Sequence, residues 1–420
     1  MPETVVLTNA SIIDCTGRDP MTKGIVVIEN GVIRSVGPMR EISAPRDATV
    51  IDLGGQTVLP GLIDAHAHVA MVEDTPMQNT ENNHPGAVYA YSVAQAMETT
   101  LDHGFTTVRD AGGCDWSFKV AQERGMIRGP RTFVSGMYTS QTGGHGDYRP
   151  RHDRSDPCSR WHPIMPPAAI CDGIDEVRRT ARDLLRTGSD QIKVMAGGGA
   201  ASPTSLIDAP QFTVEELSAI VYEARVVKKP VLAHVYVPQG IKNCIEAGVT
   251  TIEHGNFLDE ETAFLMKENG TFLVPTLAVF ELKSNPPPEL NIPDYVIEKL
   301  NYVKDAGPQS VEIADSVGIK IGSGSDCGGS LQSKKAVELE LQARVTGPMK
   351  ALISATAVNA ELMGLDTQIG TVEPGKLADL IVVDGDPLSD IRILQDPDKI
   401  PLIMQSGRIA KDCLNLGGDL

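Results

Sequence analysis

Residues 58–69 read VLPGLIDAHAHV, an apolar run that ends in His66 and His68. Two residues at i and i+2 of a β-strand point to the same side, so one metal ion can take both imidazoles. Working outward, runs of the same kind recur: TVLPGLID (57–64), TTVRDAG (106–112), RTFVSG (131–136), QIKVMAG (191–197), PVLAHVY (230–236), TTIEHG (250–255), TFLVPTL (271–277) and IKIGSG (319–324). Helix-like segments separate them. DEVRRTARDLLRTG (175–188) repeats apolar residues at helical spacing, and TVEELSAIVYEARVVKK (213–229) opens on Thr213 as N-cap with Glu216 three residues later. Strands alternating with helices predict a parallel sheet, and eight units close a (β/α)8 TIM barrel better than they extend an open sheet. The pair His66 and His68, then Lys193, His234, His254 and Asp326, fall on the first, fourth, fifth, sixth and eighth runs. A lone His beside an apolar strand is more often a hydrogen-bonded core residue. Six such residues in strand order, all at the rim where a barrel delivers strand ends, predict a metal site.

The two ends of the chain differ from the middle. Residues 4–53 alternate in the short period of half-exposed strands, with Asn30-Gly31 as a two-residue hairpin signal, and residues 378–385 and the stretch around Ser406-Gly407 answer in kind. The expected organisation is a β-sandwich domain built from residues 1–57 and 367–420 beside a barrel of residues 58–366. Residues 137–172 form a long polar loop after the third strand run and are a substrate-loop candidate. The proline-bearing stretch 283–295 reads as a stiff connector.

Composition narrows the function. Lys and Arg number 37 against 55 Asp and Glu, a formal charge of −18 that disfavours nucleic acid and anionic membranes as partners. No apolar run approaches the roughly 18 residues of a membrane helix, and the N-terminus shows no secretory pattern, so a cytoplasmic protein is expected. Seven cysteines (15, 114, 158, 171, 244, 327 and 413) without CxxC spacing read as reduced thiols, Cys158 and Cys171 included. A homo-oligomer acting on a small molecule is expected.

The motifs VLPGLIDAHAHV, GFTTVRDAGG, GPRTFVSG, SQTGGHGD, DQIKVMAGGG, AHVY, TIEHGN and GTVEPGKLADLIVVDGDPL together resemble the amidohydrolase superfamily, in particular its imidazolonepropionase-like and Xaa-Pro dipeptidase (prolidase-type) branch. The resemblance implies that His66, His68 and Asp326 bind one divalent metal ion, expected to be Zn²⁺, and that His234 and His254 bind a second. It implies that Lys193 is carboxylated and bridges the two. Asp326 would be the general acid/base of amide hydrolysis. His145 in QTGGHGD and Tyr236 in AHVY match positions that meet the substrate and its carboxylate. As residues, each has a plainer reading: His145 as a cap of the glycine-rich turn, Tyr236 as a core aromatic. Gly197–Gly199 read as a close-approach loop, and His84, His103, His152 and His162 as structural or exposed. Two stretches depart from relatives: Gly324-Ser325-Asp326 stands for the commoner Gly-Thr-Asp, and LQSKKAVELELQ (331–342) replaces a loop bearing glycine and asparagine.

The function expected is hydrolysis of N-acyl or N-aminoacyl amino acids by a binuclear dipeptidase or carboxypeptidase that releases proline or another apolar residue. Hydrolysis of non-peptide amides, carbamates or phenylureas is the alternative within the same chemistry. A non-catalytic binding barrel is the alternative outside it.

Overall fold

A computed structural model of the protein describes residues 4–72, 85–155, 168–286 and 292–414. The N-terminal end supplies β1 (Thr4–Ile12), β2 (Met21–Glu29), β3 (Val32–Pro38), β4 (Thr49–Asp52) and β5 (Thr57–Pro60). Asn30 and Gly31 turn β2 into β3 with φ of 52° and 79°, the pair of positive angles a type I′ hairpin needs. The middle supplies β6 (Leu62–Ala67), β7 (Phe105–Asp110), β8 (Arg131–Val134), β9 (Tyr138–Ser140), β10 (Ala168–Ile170), β11 (Ile192–Met195), β12 (Val231–Val235), β13 (Thr251–His254) and β14 (Phe272–Val274). The C-terminal end adds β15 (Leu380–Val383), β16 (Leu402–Gln405) and β17 (Arg408–Asp412).

Strands from both ends pair in one sheet of order β17-β16-β15-β5-β1-β2-β3, with β4 also on β1. The expected joint domain of the two ends thus rests on one hydrogen-bonded sheet, in which β1 pairs with β4 through Val5–Thr8 and with β5 through Ser11 and Ile12. One cluster of this sheet holds Leu7, Val26, Ile28, Val58, Leu380 and Met404. A second, with Leu59, Ile381 and Ile403, packs on Leu62, Phe105, Leu339 and Leu352, and so ties the sheet to the middle of the chain. Deleting residues 400–420 is expected to destabilise the whole protein, because Leu402, Ile403 and Met404 are all fully buried and each large apolar side chain contributes about 1.5–3 kcal/mol. Thermal unfolding checks this; a truncated chain as heat-resistant as the full one would show that the two ends fold independently.

In the middle, β6-β7-β8 and β10-β9-β11-β12-β13-β14 are parallel sheets. Seven of the eight expected runs contain strands. The eighth, 319–324, is bridged to the sheet only at Ile321 and Leu273. Gly322, Ser323 and Gly324 offer no large side chain to pack, and side chains of other segments take up their backbone groups: Ser323 N donates to Asn359 Oδ1, Asn359 Nδ2 to Ser323 O, and Gln342 Nε2 to Gly322 O. The run still touches both neighbours, Gly322 N donating to Leu273 O at 2.8 Å and Ala65 N to Ser323 O at 2.9 Å.

The stretch 137–172 is not wholly a loop. Its ends are β9 and β10, a parallel pair, and β9 meets β11 at Thr139 and Val194. Residues 156–167 of it, with Cys158 and His162, lie outside the described residues, as do His84 and positions 287–291 of the proline-bearing stretch. The helix Gly173–Arg186 buries Val177, Ala181 and Leu184 on one face. The helix Val214–Val226 opens on the capping box of Thr213 and Glu216. The six described cysteines are free thiols. No helix among the described residues is long and apolar enough to cross a membrane.

Candidate metal centre

The strands β6, β11, β12 and β13, with the residues just after β6 and after the eighth run, carry all six residues read as ligands. His68 Nε2 lies 3.0 Å from Asp326 Oδ1, and His66 Nε2 lies 3.6 Å from it. One donor atom from each of these three residues falls within 4.8 Å of the others. Lys193 Nζ is 3.5 Å from His66 Nε2. The His254 ring is 5.1 Å from that of His66 and 4.5 Å from that of His234, so the six residues form one group.

Each imidazole has one nitrogen engaged outside the group. His66 Nδ1 meets Glu253 Oε2 at 2.6 Å, His68 Nδ1 meets Gly112 O at 2.8 Å, and His234 Nε2 meets Gly198 O at 3.0 Å. A carbonyl accepts only, as does an ionised carboxylate, so these three rings donate there and keep a lone pair on the other nitrogen. His254 Nδ1 is held 2.6 Å from Thr276 Oγ1. Metal-binding histidines are oriented in this way by their outer partners. Burial pushes the pKa of His66, His234 and His254 down, which favours the neutral, ligating form. Burial also lowers Lys193 to about 8, towards the uncharged amine. Imidazoles with a free lone pair, a carboxylate and a buried amine are a donor set that suits Zn²⁺-like divalent ions.

Local backbone geometry bends to this arrangement. Consecutive strand residues point to opposite faces, yet Glu253 and His254 both serve the group. His254 has φ of 72°, which breaks the alternation; Thr276 (50°) and Asp326 (53°) also sit in the left-handed region. Such non-glycine conformations cost of order 1–3 kcal/mol and persist where surrounding contacts over-determine them. Here Asp326 N donates to His66 O at 2.7 Å, and Thr276 Oγ1 holds His254.

His145 and Tyr236 flank the group. The His145 ring stacks on His234 with centroids 4.4 Å apart, and Tyr236 lies 4.8 Å from His234 and 5.4 Å from His254. His145 Nδ1 is buried without a hydrogen-bond partner, and burial takes the ring down to about 3. The glycine-rich turn is held by other groups, Gly146 N donating to Ser140 Oγ and Gly143 N to Asp147 Oδ2. A Cβ on Gly199 would come within 2.1 Å of the His145 ring, so the glycine run permits that close approach. His103 Nδ1 meets Thr99 O at its helix end and His152 is exposed, in keeping with structural and surface roles.

The outer partners were not singled out in the sequence. Arg109 and Glu253 are buried together, Arg109 Nη2 donating to Glu253 Oε1 at 2.8 Å, and Asp64 accepts from His66 N and Ser325 N. Their signal was a charged residue inside an apolar strand run, in TTVRDAG, TTIEHG and GLID, since such a residue is almost never fully buried unless paired.

The chain belongs to the amidohydrolase family, whose model matches residues 57–410. It is an enzyme of the class that hydrolyses amide bonds, and the family is metal-dependent. Its sequence is 32% identical over 409 residues to ochratoxinase of Aspergillus niger, covering 94% of this chain and 84% of that protein. Its fold is similar to that of a prolidase complexed with N-methylphosphonate-L-proline, with a TM-score of 0.92 and 38% identity over 97% of this chain and 100% of that one. A Xaa-Pro dipeptidase with methionine bound in its active site gives a TM-score of 0.87 and 30% identity over 97% and 99% of the two chains.

Proposed function

We propose that the enzyme hydrolyses the amide bond of N-acyl or N-aminoacyl amino acids, as a dipeptidase or carboxypeptidase that releases proline or another apolar residue. The observation that carries this is the meeting of four histidines, Lys193 and Asp326 at one group of strand ends, flanked by two unligated donors, His145 and Tyr236. The similarity to a prolidase and a Xaa-Pro dipeptidase supports it. The two parallel sheets and the eighth run close a (β/α)8 barrel of residues 58–366, and residues 1–57 and 367–420 form the second domain, with β5 as the crossover.

His66, His68 and Asp326 would hold one divalent ion and His234 and His254 another, with carboxylated Lys193 between them. When bound, two such ions, Zn²⁺ by the nature of the donors, would polarise the scissile carbonyl and acidify a water. Asp326 takes the proton of the attacking water at its carboxylate and delivers it to the departing amine. Glu253 and Gly112 O keep His66 and His68 in the tautomer that faces inward. His145 and Tyr236 bind the carboxylate of the residue released, supplying local donors in a protein of charge −18. The enzyme works on a small molecule in the cytoplasm, as a homo-oligomer. Metal-replete protein assayed on a dipeptide panel beside aryl amides and ureas tests the reading. Turnover confined to the amides and ureas would overturn the peptide substrate, and full activity with one metal or none would overturn the binuclear site.

Tyr236→Phe removes one hydroxyl from this carboxylate site. It is expected to weaken hydrolysis of substrates with a free carboxylate by about 1.5–3 kcal/mol of transition-state binding, the worth of a hydrogen bond to a charged group. Substrates with a blocked carboxylate should respond little. Equal losses in kcat/KM on both kinds would make Tyr236 a support of the site rather than a contact of the substrate.

A further inference from the structure

The segment LQSKKAVELELQ (331–342) spans the end of a 3₁₀ turn (Gly329–Lys334) and the start of the helix Val337–Thr346. Helical spacing of three, three and four brings Gln332, Lys335, Glu338 and Gln342 to one face. On most helices the inward face is apolar. Here all four polar residues are buried, at 5%, 1%, 1% and 1% exposure. Each holds a segment that leads to the metal centre. Gln332 Nε2 donates to His68 O, Lys335 Nζ meets Asp64 Oδ2 at 3.4 Å and donates to Cys327 O, Glu338 Oε2 accepts from Ala278 N, and Gln342 Nε2 donates to Gly322 O.

Asp64 is where these contacts converge on the ligands. Its Oδ1 accepts from the backbone N–H of His66 at 3.1 Å and of Ser325 at 3.0 Å, and its Oδ2 accepts from Ser325 Oγ at 2.6 Å. One carboxylate thus joins β6, which carries His66, to the irregular run that carries Asp326. That run has no regular strand pairing to fix its position. We propose that Lys335 is a positioning residue for the metal centre: through Asp64 and Cys327 O it sets the separation of His66 and His68 from Asp326. Without the ammonium, Asp64 is a buried carboxylate lacking its cation, and it can keep both ligand-bearing segments only at the cost of that uncompensated charge. The inference rests on the metal reading of His66, His68 and Asp326.

The test is equilibrium binding of Zn²⁺ to metal-free protein by competition with a chromophoric chelator, with the absorption spectrum of the Co²⁺-substituted protein as a second readout. Lys335→Met is expected to weaken binding 10- to 100-fold, as loss of an outer partner of a metal site does, and to change the Co²⁺ spectrum. Lys334→Met makes the same chemical change one residue earlier on an exposed position and should do neither. Lys335→Gln, which keeps a donor for Cys327 O, serves if the methionine variant does not fold, and should show the same loss in smaller degree. In an Asp64→Asn background Lys335→Met should add little, because the charge it compensates is gone. Zn²⁺ affinity and Co²⁺ spectrum unchanged in a folded Lys335 variant would overturn the inference while leaving the metal centre intact. Wild-type protein that binds no divalent ion would overturn both.

Discussion

Asp326→Asn is expected to lower kcat by a factor on the order of 10² or more, with a smaller change in KM. The substitution preserves shape. The backbone N–H that Asp326 donates to His66 O is unaffected, and Asn tolerates its φ of 53° at least as well as Asp does. What is lost is an anionic oxygen 3.0 Å from His68 Nε2 and 3.6 Å from His66 Nε2. An amide can neither take the proton of the attacking water nor return it to the leaving nitrogen. The wild-type carboxylate is placed for that exchange: its side chain remains 22% exposed, so it is not sealed from an entering substrate. Steady-state kinetics on the metal-replete variant decide the matter, together with its metal content. A rise in KM at unchanged kcat would assign the proton transfer to another group and leave Asp326 as a ligand alone.

How far the sequence reveals such a site depends on which forces place each residue. His66, His68, Lys193, His234 and His254 were legible because regular strands carry them, and strand ends follow from apolar periodicity. Asp326 was legible by its motif, although the run before it is no strand: Gly322, Ser323 and Ser325 are positioned by Gln342, Asn359 and Asp64, which lie 20 to 261 residues away and leave no local pattern. The polar face of Gln332, Lys335, Glu338 and Gln342 has helical spacing, but in a sequence it looks like an ordinary solvated face; only the packing shows it turned inward. The terminal strands were legible from their hairpin turns, Asn30-Gly31 and Ser406-Gly407, whose positive φ values the structure shows. That the two ends pair was legible as well; the order of the strands was not, because the double pairing of β1 depends on where β4 and β5 lie along it. The outer partners Arg109 and Glu253 were visible only as misplaced charges, since a strand pattern does not say which other strand will neutralise them.

Those two residues carry the largest expected effect on stability. Arg109 and Glu253 are about fully buried, at 1% and 0% exposure. Arg109 Nε donates to Ala65 O at 2.6 Å, Nη1 to Thr251 Oγ1 at 3.1 Å and Nη2 to Glu253 Oε1 at 2.8 Å, so one guanidinium links β7, β6 and β13. Burial raises the Glu253 pKa, but Arg109 and then His66 bring it far below its ordinary value. Arg109→Met removes the cation and leaves a buried carboxylate whose remaining partners are Thr251 Oγ1 and His66 Nδ1. Breaking such a pair from one side is expected to cost about 3–5 kcal/mol, read from the shift in denaturant midpoint. Adding Glu253→Gln should recover a large part of that loss, because the charge left unpaired is then gone while an amide oxygen can still accept from His66 Nδ1. Activity should not recover in parallel, since a neutral amide orients and polarises His66 less well than a carboxylate. A single Arg109→Met variant within 1 kcal/mol of wild type would mean that water or a rearranged neighbour solvates Glu253, and that the guanidinium does not hold this charge in the fold.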